Sequence, residues 1–151
     1  MKLAFIGTGK IIGDALFAVE PVETIERTAV FARPHSRKKA EDLAAQYQIP
    51  EIYTDYGQLL EETEADTVYI GLVNSAHYSY AKEALLHGKN VILEKPFTGF
   101  YEEAEELQKI AEEKKLFIFE AITILHNEVF DEMKKNLSKL GTLRMALCNY
   151  S

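Results

Sequence analysis

Residues 3–13 read LAFIGTGKIIG, an unbroken apolar run followed by three glycines in the order G-x-G-x-x-G. An apolar run without polar alternation is typical of a parallel strand that is buried on both faces. A helix should follow from about Ile11 to Val19, because Pro21 cannot continue it. The stretch therefore predicts a strand, a tight turn and a helix, the opening of a dinucleotide-binding fold.

The same alternation of strand and helix recurs along the chain. Further strands are expected at 28–32, 52–53, 67–70, 91–93 and 116–119, and further helices at 36–47, 55–62, 76–87 and 101–114. Ser36 is a predicted helix cap, and Gly88 is placed to end a helix in left-handed backbone. Six alternations predict an α/β fold, a doubly wound parallel Rossmann sheet with helices on both faces, over residues 1–120. Such a sheet binds ligands beyond the carboxyl ends of its strands.

Composition narrows the class of protein. The 151 residues are 47% hydrophobic and 27% charged, which is ordinary for a globular protein. The net charge of −7 disfavours nucleic acid as a partner, because acidic side chains repel phosphate. Cys148 is the only cysteine and no apolar run is long enough to span a membrane, so we expect a cytoplasmic protein that does not contact a membrane.

Each glycine of the motif has an expected role. Gly7 would permit the tight turn, Gly9 the close approach of a pyrophosphate, and Gly13 the packing of helix against strand. Free N–H groups at the helix start favour an anion there. The residues expected at the cofactor phosphates are Gly7, Thr8, Gly9, Lys10 and Ile11. A glycine-rich turn without a ligand is the alternative that this pattern leaves open.

The end of the second predicted strand bears on the choice between NAD and NADP. A carboxylate that would hold the ribose diol of NAD is expected there, but the sequence ends the strand with Arg33. Arg33, together with Ser36 and Arg37, could bind the 2′-phosphate of NADP, so NADP is slightly favoured over NAD. The competing interpretation is that this basic run is a solvated loop and helix start.

Polar residues follow the fourth and fifth predicted strands, at the edge where a nicotinamide ring would lie. Asn74-Ser75-Ala76-His77 follows one strand, and Glu94-Lys95-Pro96 follows the other. Together with the glycine motif, the Gly-Lys-Asn-Val at 88–91 and the Phe-Glu-Ala at 119–121, these segments resemble the Gfo/Idh/MocA oxidoreductases. Their order and spacing cover nearly the whole chain.

The resemblance implies a two-domain enzyme that moves hydride between NAD(P) and a hydroxyl or carbonyl carbon of a sugar, cyclitol or related small molecule. Lys95 matches the family lysine that contacts substrate and nicotinamide, and is the expected catalytic residue. Glu94, Asn74 and His77 are expected at the cofactor. Glu94 could orient Lys95 or line the nicotinamide pocket, or else only accept backbone N–H bonds at the strand end. Asn74 could hydrogen-bond cofactor or substrate, and His77 could be either a pocket residue or a plain first-turn histidine. Lys95-Pro96 is predicted to be a cis peptide bond, since proline makes that isomer accessible.

Two departures from the family pattern concern residues after strands four and six. Val73 stands where the family commonly has proline, and Thr123-Ile124-Leu125 stands where an arginine is common. His35, His87 and His126 show no spacing that converges on a metal, so they are expected to be surface residues and no metal is predicted.

The segment 121–151 is expected to be the incomplete start of an α+β substrate domain. A helix is predicted at 127–137 and a strand at 142–150, where apolar residues alternate with polar ones. The Asp and His pair that the family carries in that domain has no counterpart before Ser151, so the chain is expected to bind cofactor but to turn over substrate poorly. A lone strand would pair with another copy, which predicts a homo-oligomer through 142–150. A non-catalytic dinucleotide sensor is the alternative function.

Overall fold

The computed structural model describes residues 1–147 and 149, apart from the side chain of His126. The chain divides into two compact units, Met1–Ala121 and Ile122–Ser151. The described helices include none that is both long enough and apolar enough to cross a membrane.

The first unit is built on one sheet of six parallel strands. The strands are β1 Lys2–Ile6, β2 Glu26–Phe31, β3 Glu51–Tyr53, β4 Thr67–Ile70, β5 Asn90–Leu93 and β6 Ile118–Glu120. Their spatial order is β3-β2-β1-β4-β5-β6. The order reverses between β1 and β4, which is the switch point where doubly wound sheets bind ligands. The predicted Rossmann architecture is confirmed.

Five helices connect the strands of this unit. They are α1 Lys10–Val19, α2 Arg37–Tyr47, α3 Tyr56–Glu62, α4 His77–Leu86 and α5 Tyr101–Lys114. All five predicted helices are confirmed, with ends that differ by one residue or so from the expected ones. Gly88 follows α4 at φ +77°, the left-handed conformation that the sequence predicts after the helix.

The core lies on both faces of the sheet, which explains why β1 has no polar alternation. Leu3 and Phe5 pack on one face with Ile12 and Leu16 of α1. Ala4 and Ile6 pack on the opposite face, where helices α3, α4 and α5 supply leucines such as Leu59, Leu85 and Leu107. A strand covered on both sides gains from an apolar residue at every position, because each side chain leaves water.

The predicted capping role of Ser36 is wrong. A capping side chain needs an extended backbone at the N-cap, whereas Ser36 has φ −109° and ψ 9° and ends a short 3₁₀ turn, Pro34–Ser36, that runs straight into α2. Its side chain makes no capping hydrogen bond. By contrast, Asp55 caps α3, accepting a hydrogen bond from the Gln58 amide at 2.9 Å.

The second unit contains one α-helix, α6 Glu128–Asn136, between two 3₁₀ turns, within the residues described. Asn127 caps α6, since its side-chain oxygen accepts from the Val129 amide at 2.8 Å. The strand predicted at 142–150 is wrong for residues 142–147 and 149, which belong to no strand of the structure, while positions 148 and 150 lie outside the described residues. A strand requires a neighbour for its N–H and C=O groups, and alternation of apolar residues does not provide one.

Candidate cofactor and active site

The register of the sheet brings the ends of five strands to one edge. Ile6 of β1 is paired with Phe31 of β2 and with Ile70 of β4. Ile70 is in turn paired with Leu93 of β5, and Leu93 with Glu120 of β6. Because parallel strands all end in the same direction, the residues that follow each of them meet at this edge. The site residues predicted from the sequence lie in these loops.

Gly7 makes the turn out of β1 and tolerates no side chain. Its φ is +125°, a conformation that favours glycine, and its amide donates to the Phe31 carbonyl at 2.9 Å. A Cβ atom at Gly7 would lie 2.7 Å from the backbone oxygen of Gly71. The expected role of Gly7 in the tight turn is therefore supported by its backbone.

Gly9 stands immediately before α1, as its N-cap residue. It has no side chain with which to cap the helix, and a Cβ there would have no neighbour within 4 Å. The first amides of any α-helix lack intrahelical acceptors, and the helix dipole adds partial positive charge at this end. The start of α1 is thus an open, electropositive backbone surface suited to a phosphate.

The packing role expected of Gly13 is wrong, and Gly71 performs it instead. A Cβ at Gly13 would meet no atom within 4 Å outside its own helix turn. A Cβ at Gly71 would lie 2.7 Å from the Cδ1 atom of Ile12 and 2.9 Å from the Cγ2 atom of Ile11. A close approach of α1 that excludes a side chain therefore occurs over the residue that follows β4, not at the third glycine of the motif.

A cleft of about 340 Å³ opens in front of this turn. Its walls come from the loops after β1, β2 and β4, and it is lined by Gly7, Thr8, Gly9, Ile11, Ala32, Arg33, His35, Ser36, Gly71, Leu72 and Val73. Thus the structure brings Gly7, Thr8, Gly9, Ile11 and Arg33 together. Lys10 begins α1 as an exposed residue and is not part of the cleft lining.

The basic residues after β2 separate into two groups. Arg33 is exposed and lines the cleft together with His35. Arg37 pairs with Glu41 on α2, the Nε atom lying 3.1 Å from a carboxylate oxygen, and Lys38 pairs with Asp42 one residue further along. Arg37 and Lys38 therefore form a solvated helix face, as the competing interpretation predicts. Arg33 remains available to a ligand in the cleft.

His77 is buried behind the site. It is 1% exposed, its Nδ1 atom lies 2.8 Å from the Pro96 carbonyl oxygen, and its Nε2 atom lies 3.2 Å from the Leu72 carbonyl oxygen. Both ring nitrogens thus face backbone carbonyls rather than the cleft. The ring therefore packs between the loops after β4 and β5, and a neutral ring can donate its single N–H to one of the two carbonyls. Direct contact with the cofactor, one of the two roles that the sequence leaves open for this residue, is not supported by this geometry.

Glu94 is buried at the end of β5 and orients the start of the next loop. One carboxylate oxygen accepts a hydrogen bond from the Tyr69 hydroxyl, and the other accepts from the Lys95 amide at 3.2 Å. Burial, together with the bond to the negatively charged Glu94, raises the pKa of Tyr69 above its ordinary value. Tyr69 therefore stays a hydrogen-bond donor at neutral pH. These contacts fit two of the roles expected for Glu94, orienting Lys95 and accepting a backbone N–H bond, whereas Glu94 does not line the cleft.

Lys95 is exposed in the loop between β5 and α5, and its bond to Pro96 is cis, as predicted. The following amide, that of Phe97, donates to the Oε1 atom of Glu120 at 2.8 Å. Asn74, also exposed, lines a second hollow of about 490 Å³ together with Pro96 and Phe100. The loops after β4 and β5 therefore share one surface region at the edge of the sheet.

Several of these residues were not predicted from the sequence. The packing role of Gly71 could have been predicted from the sequence, because a glycine directly after a buried strand often marks a close backbone approach. His35 was expected only to be a surface histidine; it is exposed, but it also lines the cleft. Glu120 belongs to a quoted motif but had no assigned role. Only the packing of β6 beside β5 brings its carboxylate to Phe97.

A parallel sheet in the order 3-2-1-4-5-6, with a glycine turn and an open helix start at its switch point, defines a dinucleotide-binding Rossmann unit. Residues 1–121 match the family model described as the GFO/IDH/MocA oxidoreductase family, NAD-binding Rossmann fold. The chain belongs to this family.

Relatives and solved structures agree with this assignment. The chain is 32% identical over 154 residues to a scyllo-inositol 2-dehydrogenase (NADP(+)) of Bacillus subtilis, covering 100% of this chain and 46% of the relative. It is 26% identical to a trans-1,2-dihydrobenzene-1,2-diol dehydrogenase of Xenopus tropicalis, covering 91% and 42%. A 3-ketoreductase from Actinomadura kijaniata, solved with NADP and TDP-benzene, superposes with a TM-score of 0.86 at 29% identity, covering 92% of this chain and 42% of that one. The chain therefore spans under half the length of these proteins.

Proposed function

We propose that this chain is the NAD(P)-binding part of a dehydrogenase or reductase that acts on a hydroxyl or carbonyl carbon of a small polyhydroxylated molecule, such as a cyclitol or a diol. The observation that carries the proposal is the cleft at the switch point, where the open start of α1 meets the Gly7 turn. The relatives named above are a cyclitol dehydrogenase, a diol dehydrogenase and a ketoreductase, which supports this substrate class and the enzyme over the sensor.

The residues present fit a dinucleotide. The space around Gly9 and the first amides of α1 suit the pyrophosphate, and Arg33 in the cleft lining suits a 2′-phosphate. A scyllo-inositol dehydrogenase that uses NADP and an NADP-bound ketoreductase among the relatives support the preference for NADP over NAD. The exposed loop residues Asn74 and Lys95 then lie on the side of the nicotinamide.

In the proposed mechanism, Lys95 acts on the substrate, and Glu94 and Tyr69 hold Lys95 in place. Held at the start of α1 and by Arg33, a nicotinamide dinucleotide would supply or accept the hydride at the substrate carbon. The Lys95 ammonium donates a hydrogen bond to the substrate oxygen and stabilises the negative charge that develops on it as hydride arrives. Glu94 fixes the Lys95 backbone through its amide, and Tyr69 in turn fixes Glu94. The alkoxide formed beside Lys95 then takes a proton from water, because Lys95 is exposed to solvent. In the reverse direction the hydroxyl proton passes to water while the same ammonium stabilises the oxygen as hydride leaves the carbon.

Titration of the chain with NADPH, followed by amide chemical shifts, tests cofactor binding. We expect the largest shift changes at residues 7–13 and near Arg33, because the anion sits against these amides. Amides at the opposite end of the sheet, for example Asn90 at the start of β5, serve as the internal control. Unchanged shifts at residues 7–13 with millimolar cofactor would refute the proposal.

Hydride transfer itself is tested in the protein at its full natural length, with cyclitols and diols as substrates and NADP(H) absorbance as the signal. Lys95→Ala is expected to lower kcat roughly 100- to 1,000-fold, the usual cost of removing a charge-stabilising donor. Cofactor affinity should change little, since Lys95 does not line the phosphate cleft. A variant with unchanged kcat would show that Lys95 does not contact the reacting oxygen.

The remaining expectations stay proposals. Self-association through 142–150 is supported by the exposure of Leu143, Met145 and Leu147. The segment 121–151, which contains helix α6, is proposed as the start of the substrate domain. The single cysteine favours a reducing compartment such as the cytoplasm.

A further inference from the structure

The peptide group that joins Pro96 to Phe97 is held by two side chains from different parts of the sheet. Its carbonyl oxygen lies 2.8 Å from Nδ1 of His77, and its N–H donates to Glu120 at 2.8 Å. The C=O and N–H of one peptide unit are rigidly coplanar and point to opposite sides, so a bond at each end restricts the movement of the whole unit. This peptide lies one residue beyond Lys95.

The two holding residues approach from opposite neighbours of β5. His77 begins α4, which follows β4, and Glu120 ends β6, which pairs with β5 on its other side. The loop that carries Lys95 is thus fixed between the two flanking strands. Its own strand supplies a third bond, from the Lys95 amide to Glu94.

His77 also connects this loop to the cofactor cleft. Its Nε2 atom lies 3.2 Å from the carbonyl of Leu72, a residue of the cleft wall. A single ring with 1% exposure therefore contacts both the cleft wall and the peptide beyond Lys95. The Nδ1 contact is the shorter one, so we assign the N–H donor to the Pro96 side. A change at this ring should alter the distance between cofactor and lysine.

We propose that His77 and Glu120 are positioning residues, which hold the Pro96–Phe97 peptide so that the Lys95 ammonium lies against the nicotinamide. The inference rests on the proposed function, in which Lys95 acts beside that ring. Neither residue touches the cofactor in this assignment. Each acts through the backbone that follows Lys95.

The test uses the chain with labelled lysine and labelled backbone amides. The nicotinamide ring carries a positive charge in NADP⁺ and none in NADPH, so an ammonium beside it should show different side-chain shifts with the two cofactors. We expect this difference at Lys95, whose signal is identified by its loss in Lys95→Arg. This shift difference could be missing in the unaltered chain while residues 7–13 still respond to cofactor. In that case the proposed role of Lys95, and with it this inference, would be wrong, whereas cofactor binding would remain supported.

Glu120→Ala is expected to abolish the difference at Lys95 and to leave NADPH affinity within about twofold, because the phosphate contacts lie elsewhere. Glu120→Gln should keep the shift difference at Lys95, since the amide oxygen accepts the same hydrogen bond from the Phe97 N–H. If Glu120 had a purely structural role, Glu120→Ala would lower stability, and the Lys95 shift difference and the NADPH affinity would fall together. An unchanged Lys95 response in Glu120→Ala, or a loss in Glu120→Gln as complete as in Glu120→Ala, would overturn the inference.

The histidine offers an independent pair of variants. In His77→Asn the side-chain N–H₂ can take the place of Nδ1 and donate to Pro96, whereas His77→Ala removes the donor. We expect the Lys95 response to survive in His77→Asn and to be lost in His77→Ala. His87→Asn is the matched control, because His87 is exposed and its ring bonds only the Glu83 carbonyl of its own helix among the described residues. Equal responses in all three variants would contradict the positioning role.

Discussion

Gly7→Ala is expected to destabilise the protein by roughly 3–5 kcal/mol, as the sum of backbone strain and overpacking at a buried turn. The backbone there has φ +125°, and the new Cβ would overlap the carbonyl oxygen of Gly71, which is backbone and cannot rotate aside. Relief would require β1 and β4 to move apart. Urea unfolding monitored by circular dichroism measures the loss, and NADPH binding should fall with it because the turn forms the proposed phosphate site.

Gly13→Ala is the matched control within the same motif. Its Cβ would enter open space on α1, and alanine is about 0.5–1 kcal/mol more favourable than glycine inside a helix. The variant should therefore be as stable as the parent or slightly more stable. A loss at Gly13 comparable with that at Gly7 would show that the third glycine does pack against the sheet. Equal stability of Gly7→Ala and the parent would contradict the geometry of the turn.

Arg33→Ala is expected to weaken NADPH binding roughly 10- to 100-fold while changing NADH binding little, because charge-assisted hydrogen bonds to a 2′-phosphate exist only with NADPH. Arg33 is the arginine that lines the cleft among the described residues. Calorimetric titration of both cofactors measures the ratio of the two affinities. High salt should reduce the preference, since the arginine is exposed.

Arg37→Ala provides the control for this change. The side chain is also a guanidinium four residues away, but it pairs with Glu41 along α2. Its removal should leave the NADPH to NADH ratio unaltered. Equal losses for both cofactors in Arg33→Ala would refute the NADP preference, and a larger effect of Arg37→Ala would place the 2′-phosphate over the start of α2 instead.

Much of the fold could be predicted because its signals are local. The apolar run before Gly7 reflects burial on two faces, and Pro21 and Gly88 end helices through their own backbone preferences. Segment 142–150 shows the limit of such signals. Its alternating residues are those of a half-buried strand, but pairing depends on a neighbour that no local pattern supplies, and the described residues there have no strand partner.

The sequence by itself determined the order of strands and helices, the glycine turn, and the loops that carry Arg33 and Lys95. These follow from backbone conformation and from the period of apolar residues, which a chain displays segment by segment. Only the tertiary structure decided that α1 packs closely against Gly71 rather than through Gly13, and that His77 and Glu120 contact the same peptide group. Those contacts join residues far apart in the chain. They depend on how parallel strands are ordered and registered, and that information resides in the packed sheet rather than in any one segment.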